Sequence, residues 1–323
     1  MPIVNSNLGS KAYVLTGPTS GVGRATALGM ATRGTLVLVG RNSAKLAETK
    51  KAIERLGGQS VPVVCDFSDL ASVDRAAAEI VALNLPIVGL LNNAGVQNPN
   101  VPKTADGWDN TFVTNHLGPF LLTERLLPHL EDGANVLFVG SATEDPGRKP
   151  AVRAGFRGGR YVSAEESLHG EWKAGGSTKP GMDAYATSKQ CNIATAMALA
   201  RENPRLRINA IEPGIMFATG LHDHMSISRK ILTSVLVPLL VPFIKVLSTP
   251  KRAARVFTRI LTDSSGATGV YYDEGGHPMQ GSEFVRDRTF QDLVVAETRA
   301  LLTKLRTQDG RSDFSSVAYR PRH

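Results

Sequence analysis

The sequence predicts an α/β domain built on a doubly wound parallel sheet of about seven strands. Short apolar runs alternate with segments of helical periodicity along most of the chain, and this alternation is typical of a parallel sheet with helices on both faces. The first apolar run also leads through a glycine-rich turn directly into a helical segment. That succession of strand, turn and helix is the unit from which such sheets are built.

The same alternation predicts the order of the elements. We predict strands near 12–16, 35–40, 61–65, 87–91, 135–140, 207–212 and 269–272, and helices near 22–33, 43–57, 70–83, 106–130, 183–202 and 251–262. A chain of 323 residues with 42% hydrophobic residues can bury one large core. We therefore predict a single domain over residues 1–306 and a flexible tail over 307–323.

Composition excludes several classes of function. The two cysteines, Cys65 and Cys191, suit a reducing compartment and provide no disulfide framework. The first residues lack the pattern of a signal peptide, so we expect a cytoplasmic location. The net charge of +8 is spread along the chain without an aromatic, basic patch, and we predict no nucleic-acid partner.

A glycine-rich turn follows the first predicted strand. Gly17 permits a tight turn, Gly21 lets backbone N–H groups approach a phosphate, and Gly23 lets helix and strand pack closely. The spacing is a variant of the dinucleotide-binding fingerprint, although similar turns occur without ligands. The turn's other predicted cofactor contacts are Thr19, Ser20 and Val22.

Tyr185 and Lys189 are four residues apart in a predicted helix, and side chains at this spacing share a face. A nearby ammonium group stabilises phenolate, so we expect it to lower the pKa of the tyrosine toward a range useful for acid/base catalysis. The same spacing also occurs in solvated surface pairs, and only the other motifs of the chain favour catalysis.

Further motifs occur in a characteristic order. Asn92-Asn93-Ala94-Gly95 follows an apolar run, Asn115 lies in the fourth predicted helix, Ser141 ends a strand, and Pro213-Gly214 follows the next one. Together with the glycine-rich turn and the Tyr/Lys pair, these residues resemble the short-chain dehydrogenase/reductase superfamily over about residues 10–305. The resemblance implies a Rossmann-type fold and hydride transfer between a nicotinamide cofactor and a carbonyl or alcohol.

The resemblance also implies roles for four catalytic residues. Tyr185 would donate a proton to the carbonyl oxygen, and Lys189 would lower the pKa of the tyrosine and bind the nicotinamide ribose. Ser141 would orient the carbonyl group, and Asn115 would anchor a water leading to Lys189. Other readings stay open, because Ser141 suits the cap of a strand end and Asn115 suits a helix kink.

Cofactor choice can be argued from the end of the second strand. An acidic residue there binds the ribose hydroxyl of NAD, whereas a cation accepts the 2′-phosphate of NADP; here Arg41 follows the strand and Lys45 lies one turn on. We therefore predict NADP(H). By resemblance, Asp66 and Phe67 hold the adenine. The resemblance assigns the remaining cofactor contacts to Asn93, Ala94, Gly95, Pro213, Gly214 and Thr219.

Two segments exceed a minimal member of the superfamily. The glycine-rich insertion 142–182 is predicted to be a loop beside the active site and not a core element. The segment 221–250 contains a proline-broken apolar run, too short to span a membrane. We predict that it is a lid over a bulky, hydrophobic substrate, with peripheral membrane contact as the alternative. No metal site is expected, since His222 and His224 have no partner cluster.

Within the superfamily, the motifs look like those of retinol dehydrogenases, WW-domain oxidoreductases and light-dependent protochlorophyllide reductases. Cys191, two residues after Lys189, favours the last group, but a cysteine at this position can also be a small, buried hydrophobic residue without a role at the site. Light-driven reduction is therefore the alternative function. A further alternative is a non-catalytic NADP(H)-binding regulator, since a fold does not guarantee activity. The sequence leaves both a monomer and a homo-oligomer open.

Overall fold

A computed structural model describes residues 11–214 and 248–308. Within these residues seven strands form one parallel sheet, in the order β3-β2-β1-β4-β5-β6-β7. The strands are β1 Ala12–Thr16, β2 Thr35–Gly40, β3 Gln59–Val64, β4 Ile87–Asn92, β5 Leu130–Val139, β6 Arg207–Ile211 and β7 Tyr271–Tyr272. The strand order reverses between β1 and β4, and ligands of such sheets bind at this switch point. The predicted fold class is confirmed.

Helices cover both faces of the sheet. They are α1 Gly21–Gly29, α2 Ser43–Arg55, α3 Leu70–Ala82, α4 Asn110–Phe112, α5 Gly118–Leu126, α6 Lys149–Arg153, α7 Ala164–His169, α8 Pro180–Glu202, α9 Pro250–Leu261, α10 Glu283–Arg286 and α11 Arg288–Gln308. Neighbouring strand residues point to opposite faces. Val14 and Leu90 accordingly pack in one apolar core, while Leu15 and Leu91 pack in the other.

The helix predicted over 106–130 is interrupted. A five-residue π turn, Val113–Leu117, separates α4 from α5, and a short 3-10 turn follows at Leu127–His129. Pro119 contributes to the interruption, because it has no N–H to donate to the carbonyl of Asn115 four residues earlier. Single π turns inside helices are frequent at functional sites, and this one contains Asn115.

The prediction that insertion 142–182 is a loop outside the core is wrong. The segment contains α6 and α7, and it contributes Ala164 and Leu168 to an apolar cluster with Phe112 and Val294. Its glycines, which suggested a loop, instead make the turns between short helices; Gly158 and Gly170, for example, have φ of +82° and +80°. Left-handed backbone of this kind favours glycine.

The C-terminal helix α11 was not predicted. It extends to residue 308, so the predicted tail is helical at its start. Arg299 of α11 forms ion pairs with Glu124 of α5 and Glu202 of α8, and Glu297 accepts hydrogen bonds from Tyr161 and Ala164 of the insertion.

The predicted lid lies outside the described residues up to position 247. No helix of the described segments is long and apolar enough to cross a bilayer.

Candidate active site

The glycine-rich turn joins β1 to α1 at the switch point. Gly17 and Gly21 have φ of +66° and +52°, and a Cβ on Gly23 would lie 2.1 Å from the carbonyl oxygen of Gly17. All three positions therefore require glycine. Ser20 precedes the helix, but its side chain caps no N–H group of α1. The first N–H groups of a helix lack partners within the helix and favour an anion such as a pyrophosphate, so this turn fits the phosphates of a dinucleotide.

Asn93 and Ala94 support this turn from the end of β4. The backbone N–H groups of both residues donate to Oγ1 of Thr16 at 2.9 Å, and Nδ2 of Asn93 donates to the carbonyl of Thr16 at 2.9 Å. The amide of Asn93 is thus engaged with the protein backbone, and its role is to hold the turn in shape. Thr16 was missed by the sequence analysis, although its position directly before Gly17 was a usable signal.

Arg41 and Lys45 lie beside the turn. The N–H of Gly17 donates to the carbonyl of Val39 at 2.9 Å, which brings the end of β2 next to the glycine-rich turn. Both basic side chains are exposed, and Asn42 caps α2 by accepting from the N–H of Lys45 at 2.9 Å. The backbone that carries Arg41 and Lys45 is therefore held in place next to the predicted phosphate site.

Asp66 and Phe67 follow β3, and they differ in how far a cofactor could reach their side chains. Oδ1 of Asp66 accepts hydrogen bonds from the N–H and the hydroxyl of Ser68 at 2.9 and 2.7 Å. Phe67 is 4% exposed and belongs to the core. Its side chain cannot stack on an adenine, so any contact with the cofactor must come from its backbone.

Tyr185 and Lys189 lie on α8, as their spacing predicted. Lys189 is buried, and its Nζ donates to the carbonyl of Val139 at 3.0 Å and lies 5.6 Å from the centre of the Tyr185 ring. Because Val139 is the last residue of β5, this bond fixes the lysine at the carboxyl edge of the sheet. Tyr185 is half-buried.

Ser141 and Asn115 lie at the same edge. The Oγ of Ser141 accepts from the N–H of Thr143 at 3.3 Å. Asn115 is fully buried; its Oδ1 accepts from the N–H of Val96 at 2.7 Å, and its Nδ2 donates to the Oγ of Ser188 at 3.1 Å. A Cβ on Gly95 would lie 3.1 Å from Oδ1 of Asn115 and 3.6 Å from Nζ of Lys189. The backbone after β4 therefore approaches both residues closely.

The pKa of Tyr185 is raised, so the expectation that it is lowered toward neutrality is wrong. Burial raises the pKa of Tyr185, the charge of Glu212 raises it further, and the hydroxyl of Ser141 only partly offsets these effects. Burial lowers the pKa of Lys189 to about 8, against the opposing effect of Glu212. Removing charged groups from water penalises the charged form of each, so the phenol keeps its proton at neutral pH.

Glu212 is a site residue that the sequence analysis missed. It is the residue before Pro213, and one carboxylate oxygen accepts from the N–H of Ala142 while the other accepts from the N–H of Gly214 at 2.9 Å. The carboxylate therefore ties the loop of Ser141 to the loop after β6. An acidic residue at the end of a buried strand was an available signal.

Glu144 is a second buried acid near this edge. It is 0% exposed, and it accepts from the N–H and the hydroxyl of Ser282 at 2.9 and 2.5 Å. Burial raises its pKa to about 7.

Gly214 has a φ of +83°, which only glycine adopts readily. Thr219 lies outside the described residues.

The insertion contributes an apolar wall to the site. Phe156 is buried and packs with Ala151, Ala186, Met182 and Tyr185.

Among the described residues, no group of three or more His, Cys, Asp or Glu side chains could hold a metal ion.

Comparisons with known proteins identify the family to which this fold belongs. The family model described as short chain dehydrogenase matches residues 11–151. The chain is 31% identical over 213 residues to a candidate daunorubicin C-13 ketoreductase, DnrU, of Streptomyces sp. strain C5, covering 65% of this chain and 67% of that protein. It is 27% identical over 298 residues to short-chain dehydrogenase TIC 32 B, chloroplastic, of Brassica napus, covering 87% and 85% of the two chains.

Protochlorophyllide reductase B, chloroplastic, of Oryza sativa subsp. japonica is 28% identical over 282 residues, covering 80% of this chain and 68% of that protein. The fold resembles the crystal structure of L-sorbose reductase from Gluconobacter frateurii complexed with NADPH and L-sorbose, with a TM-score of 0.60, 20% identity, and coverage of 85% and 96%. A dinucleotide-binding α/β sheet with a Tyr/Lys pair at its carboxyl edge thus defines the class. The chain belongs to the short-chain dehydrogenase/reductase superfamily, an oxidoreductase family whose fold binds NAD(P).

Proposed function

We propose that this chain is an NADP(H)-dependent oxidoreductase that interconverts a carbonyl group and an alcohol on a bulky, largely apolar compound. The observation that carries the proposal is the convergence of Tyr185, Lys189 and Ser141 at the edge of the sheet where β1, β4 and β5 end, beside a turn suited to pyrophosphate. Acid/base groups and a dinucleotide site then face the same space.

The preference for NADP(H) is supported by Arg41 and Lys45. Both are exposed at the carboxyl end of β2, and neither forms an ion pair with a described residue. No acidic residue immediately follows β2 that would favour the ribose hydroxyl of NAD. A 2′-phosphate would gain charge-assisted hydrogen bonds from these two cations.

Tyr185 is the proposed proton donor in the direction of reduction. When bound, the nicotinamide supplies or accepts a hydride. The raised pKa of Tyr185 keeps its proton on the phenol at neutral pH, ready for transfer to a developing alkoxide. The hydroxyl of Ser141 orients the carbonyl oxygen by a hydrogen bond. Lys189, held by the carbonyl of Val139, stabilises the phenolate that remains after transfer, because opposite charges attract strongly where water is excluded.

The substrate class is supported by the wall around Tyr185. Ala151, Phe156, Ala186 and Met182 pack beside the tyrosine, and an apolar lining binds an apolar substrate by removing its surface from water. A small charged substrate would gain nothing from this wall. The predicted lid over 221–250 would add to the same cover.

Light-driven reduction of a porphyrin remains the second candidate, on the similarity to protochlorophyllide reductase B. Cys191 argues against it. This cysteine is 0% exposed, packs in the cluster of Phe112 and Ala194, and has a pKa well above the ordinary value because of burial. A thiol in that setting behaves as a small hydrophobe.

The proposed activity is tested with a panel of bulky ketones, aldehydes and alcohols, followed by NADPH absorbance in darkness and in light. Turnover of large apolar carbonyl compounds in darkness supports the proposal. A chain that binds NADPH and converts no compound would instead be a regulator, and bleaching of a bound porphyrin only under illumination would favour the light-driven reaction.

Domain organisation, partners and location stay predictions. We propose one domain over residues 1–306, a small-molecule hydrophobic substrate, no nucleic-acid partner and a cytoplasmic location, while monomer and homo-oligomer both stay open. Two buried, unbridged cysteines suit the reducing location. Size-exclusion chromatography with light scattering would decide the oligomeric state.

A further inference from the structure

A chain of buried side chains connects α11 to the candidate active site. Nε2 of His116 lies 3.0 Å from Oγ1 of Thr298, and Nδ1 of His116 lies 3.2 Å from Oδ1 of Asn192. All three residues are at most 2% exposed. His116 neighbours Asn115 in the π turn, Asn192 follows Lys189 by three residues on α8, and Thr298 belongs to α11.

The orientation of Asn192 follows from its other neighbours. Its Nδ2 lies 2.9 Å from the carbonyl oxygen of Asn115 and 3.5 Å from that of Val139. Both of these groups only accept hydrogen bonds, so the amide nitrogen must face them. The amide oxygen, which is also only an acceptor, consequently faces Nδ1 of His116.

This orientation favours one tautomer of His116. Burial lowers the pKa of His116 to about 4, so the ring is neutral and carries one N–H group. The amide oxygen of Asn192 needs a donor and so favours a proton on Nδ1. Nε2 would then accept from the hydroxyl of Thr298. That hydroxyl also lies 2.6 Å from the carbonyl oxygen of Val294, to which it can donate instead, so the position of the ring proton tests which of the two bonds forms.

Asn192, the last of these hydrogen-bonded side chains, contacts the same groups that hold the catalytic lysine. Pro119 has no N–H for the carbonyl of Asn115, and the amide of Asn192 donates to that carbonyl instead. Asn192 also shares the carbonyl of Val139 with Nζ of Lys189, which lies 3.0 Å from it. A change in the Asn192 amide would therefore alter both the π turn and the acceptor of Lys189.

We propose that Thr298, His116 and Asn192 form a positioning chain through which α11 fixes Asn115 and Lys189 for catalysis. None of the three touches the reacting atoms in this scheme; each acts through its neighbour. The inference rests on the proposed function, but the hydrogen-bond order that it requires can be measured without any substrate.

The central experiment replaces Thr298 with Val, which keeps the shape of the side chain and puts a methyl group in place of the hydroxyl. We expect kcat for a carbonyl substrate to fall by about threefold to tenfold, because small misplacements of catalytic groups reduce turnover, while the KM for NADPH changes by less than about twofold. Thr298→Ser restores the hydroxyl and should restore kcat. Thr303→Val is the matched control, since Thr303 is an exposed threonine on the same helix that bonds only the carbonyl of Arg299.

Three outcomes would overturn the proposal. The first is a Thr298→Val enzyme with unchanged kcat, and the second is a loss of kcat that Thr298→Ser does not restore. The third is a ring proton on Nε2 of His116, measured by 15N NMR of histidine-labelled protein with His116 assigned through His116→Gln. If the parent chain converts no substrate, the proposed function fails, whereas the NMR result still decides whether the hydrogen-bond chain exists in the order that the proposal requires.

Discussion

Phe156 of the insertion packs against Tyr185, with 6.2 Å between the ring centres and 52° between the ring planes. Phe156 is 7% exposed, so most of its surface is buried against this tyrosine and its neighbours. A segment that looked like a loop in the sequence therefore supplies a wall of the candidate active site. The ring lies directly beside Tyr185, and we expect it to border the substrate of the proposed reaction.

Replacing Phe156 with Ala should weaken the binding of bulky apolar substrates. Losing the contact surface of one aromatic side chain is expected to raise their KM by about tenfold, while the Kd for NADPH stays unchanged because the wall is not part of the phosphate site. Steady-state kinetics and fluorescence titration measure the two effects. Phe284→Ala, at a phenylalanine that is 47% exposed, is the control. Equal kinetics for parent and variant across the panel would contradict the role of Phe156.

Arg41→Ala should change cofactor preference. A charge-assisted contact with the 2′-phosphate contributes about 1.5–3 kcal/mol, so NADPH binding should weaken by about tenfold or more while NADH binding barely changes. Calorimetric titration with both cofactors measures this difference. Arg55→Ala, at an exposed arginine at the other end of α2, is the control. Equal losses for NADPH and NADH would remove the claim that Arg41 selects the cofactor.

Tyr185→Phe should abolish proton donation while leaving the cofactor bound. General acid catalysis contributes about two to four orders of magnitude to turnover, and we expect a loss of that size with little change in NADPH affinity. Tyr272→Phe removes a hydroxyl from β7 and serves as the control. Turnover that persists in Tyr185→Phe would mean that another group supplies the proton.

The rate of reduction should fall as pH rises through about 8. Burial lowers the pKa of Lys189 to about 8, so its ammonium is present below that pH and is lost above it. The pKa of Tyr185 is raised, and the phenol keeps its proton over the same range. The pH dependence of kcat/KM measures the lysine in the free enzyme. A rate that is flat from pH 7 to about 10 would contradict this assignment.

Glu212→Gln should move this fall in rate to lower pH. The charge of Glu212 raises the pKa of Lys189, and removing it lets burial lower that pKa further. The same set of pH profiles measures the shift. Glu144→Gln is the control, because Glu144 is also buried but binds Ser282 instead of the loop of Ser141. An unshifted profile in Glu212→Gln, or an equal shift in both variants, would show that Glu212 has no specific effect on the lysine.

Features with a local physical cause could be predicted from the sequence by itself. The strand periodicity, the glycine-rich turn and the spacing of Tyr185 and Lys189 each depend on residues a few positions apart, because side-chain direction repeats every 2 or about 3.6 residues. These patterns determined the seven-stranded parallel sheet, and they placed the tyrosine and lysine on one face of α8.

Only the tertiary structure decided features that depend on burial and on distant partners. Thr298 meets His116 across 182 positions of sequence, and the insertion enters the core through contacts with α11. The direction of the Tyr185 pKa belongs to the same group. From spacing, Lys189 was expected to lower it, but burial and the charge of Glu212 raise it. The free energy of a charged group depends on how much water the whole fold removes from around it, and no local pattern of residues contains that information.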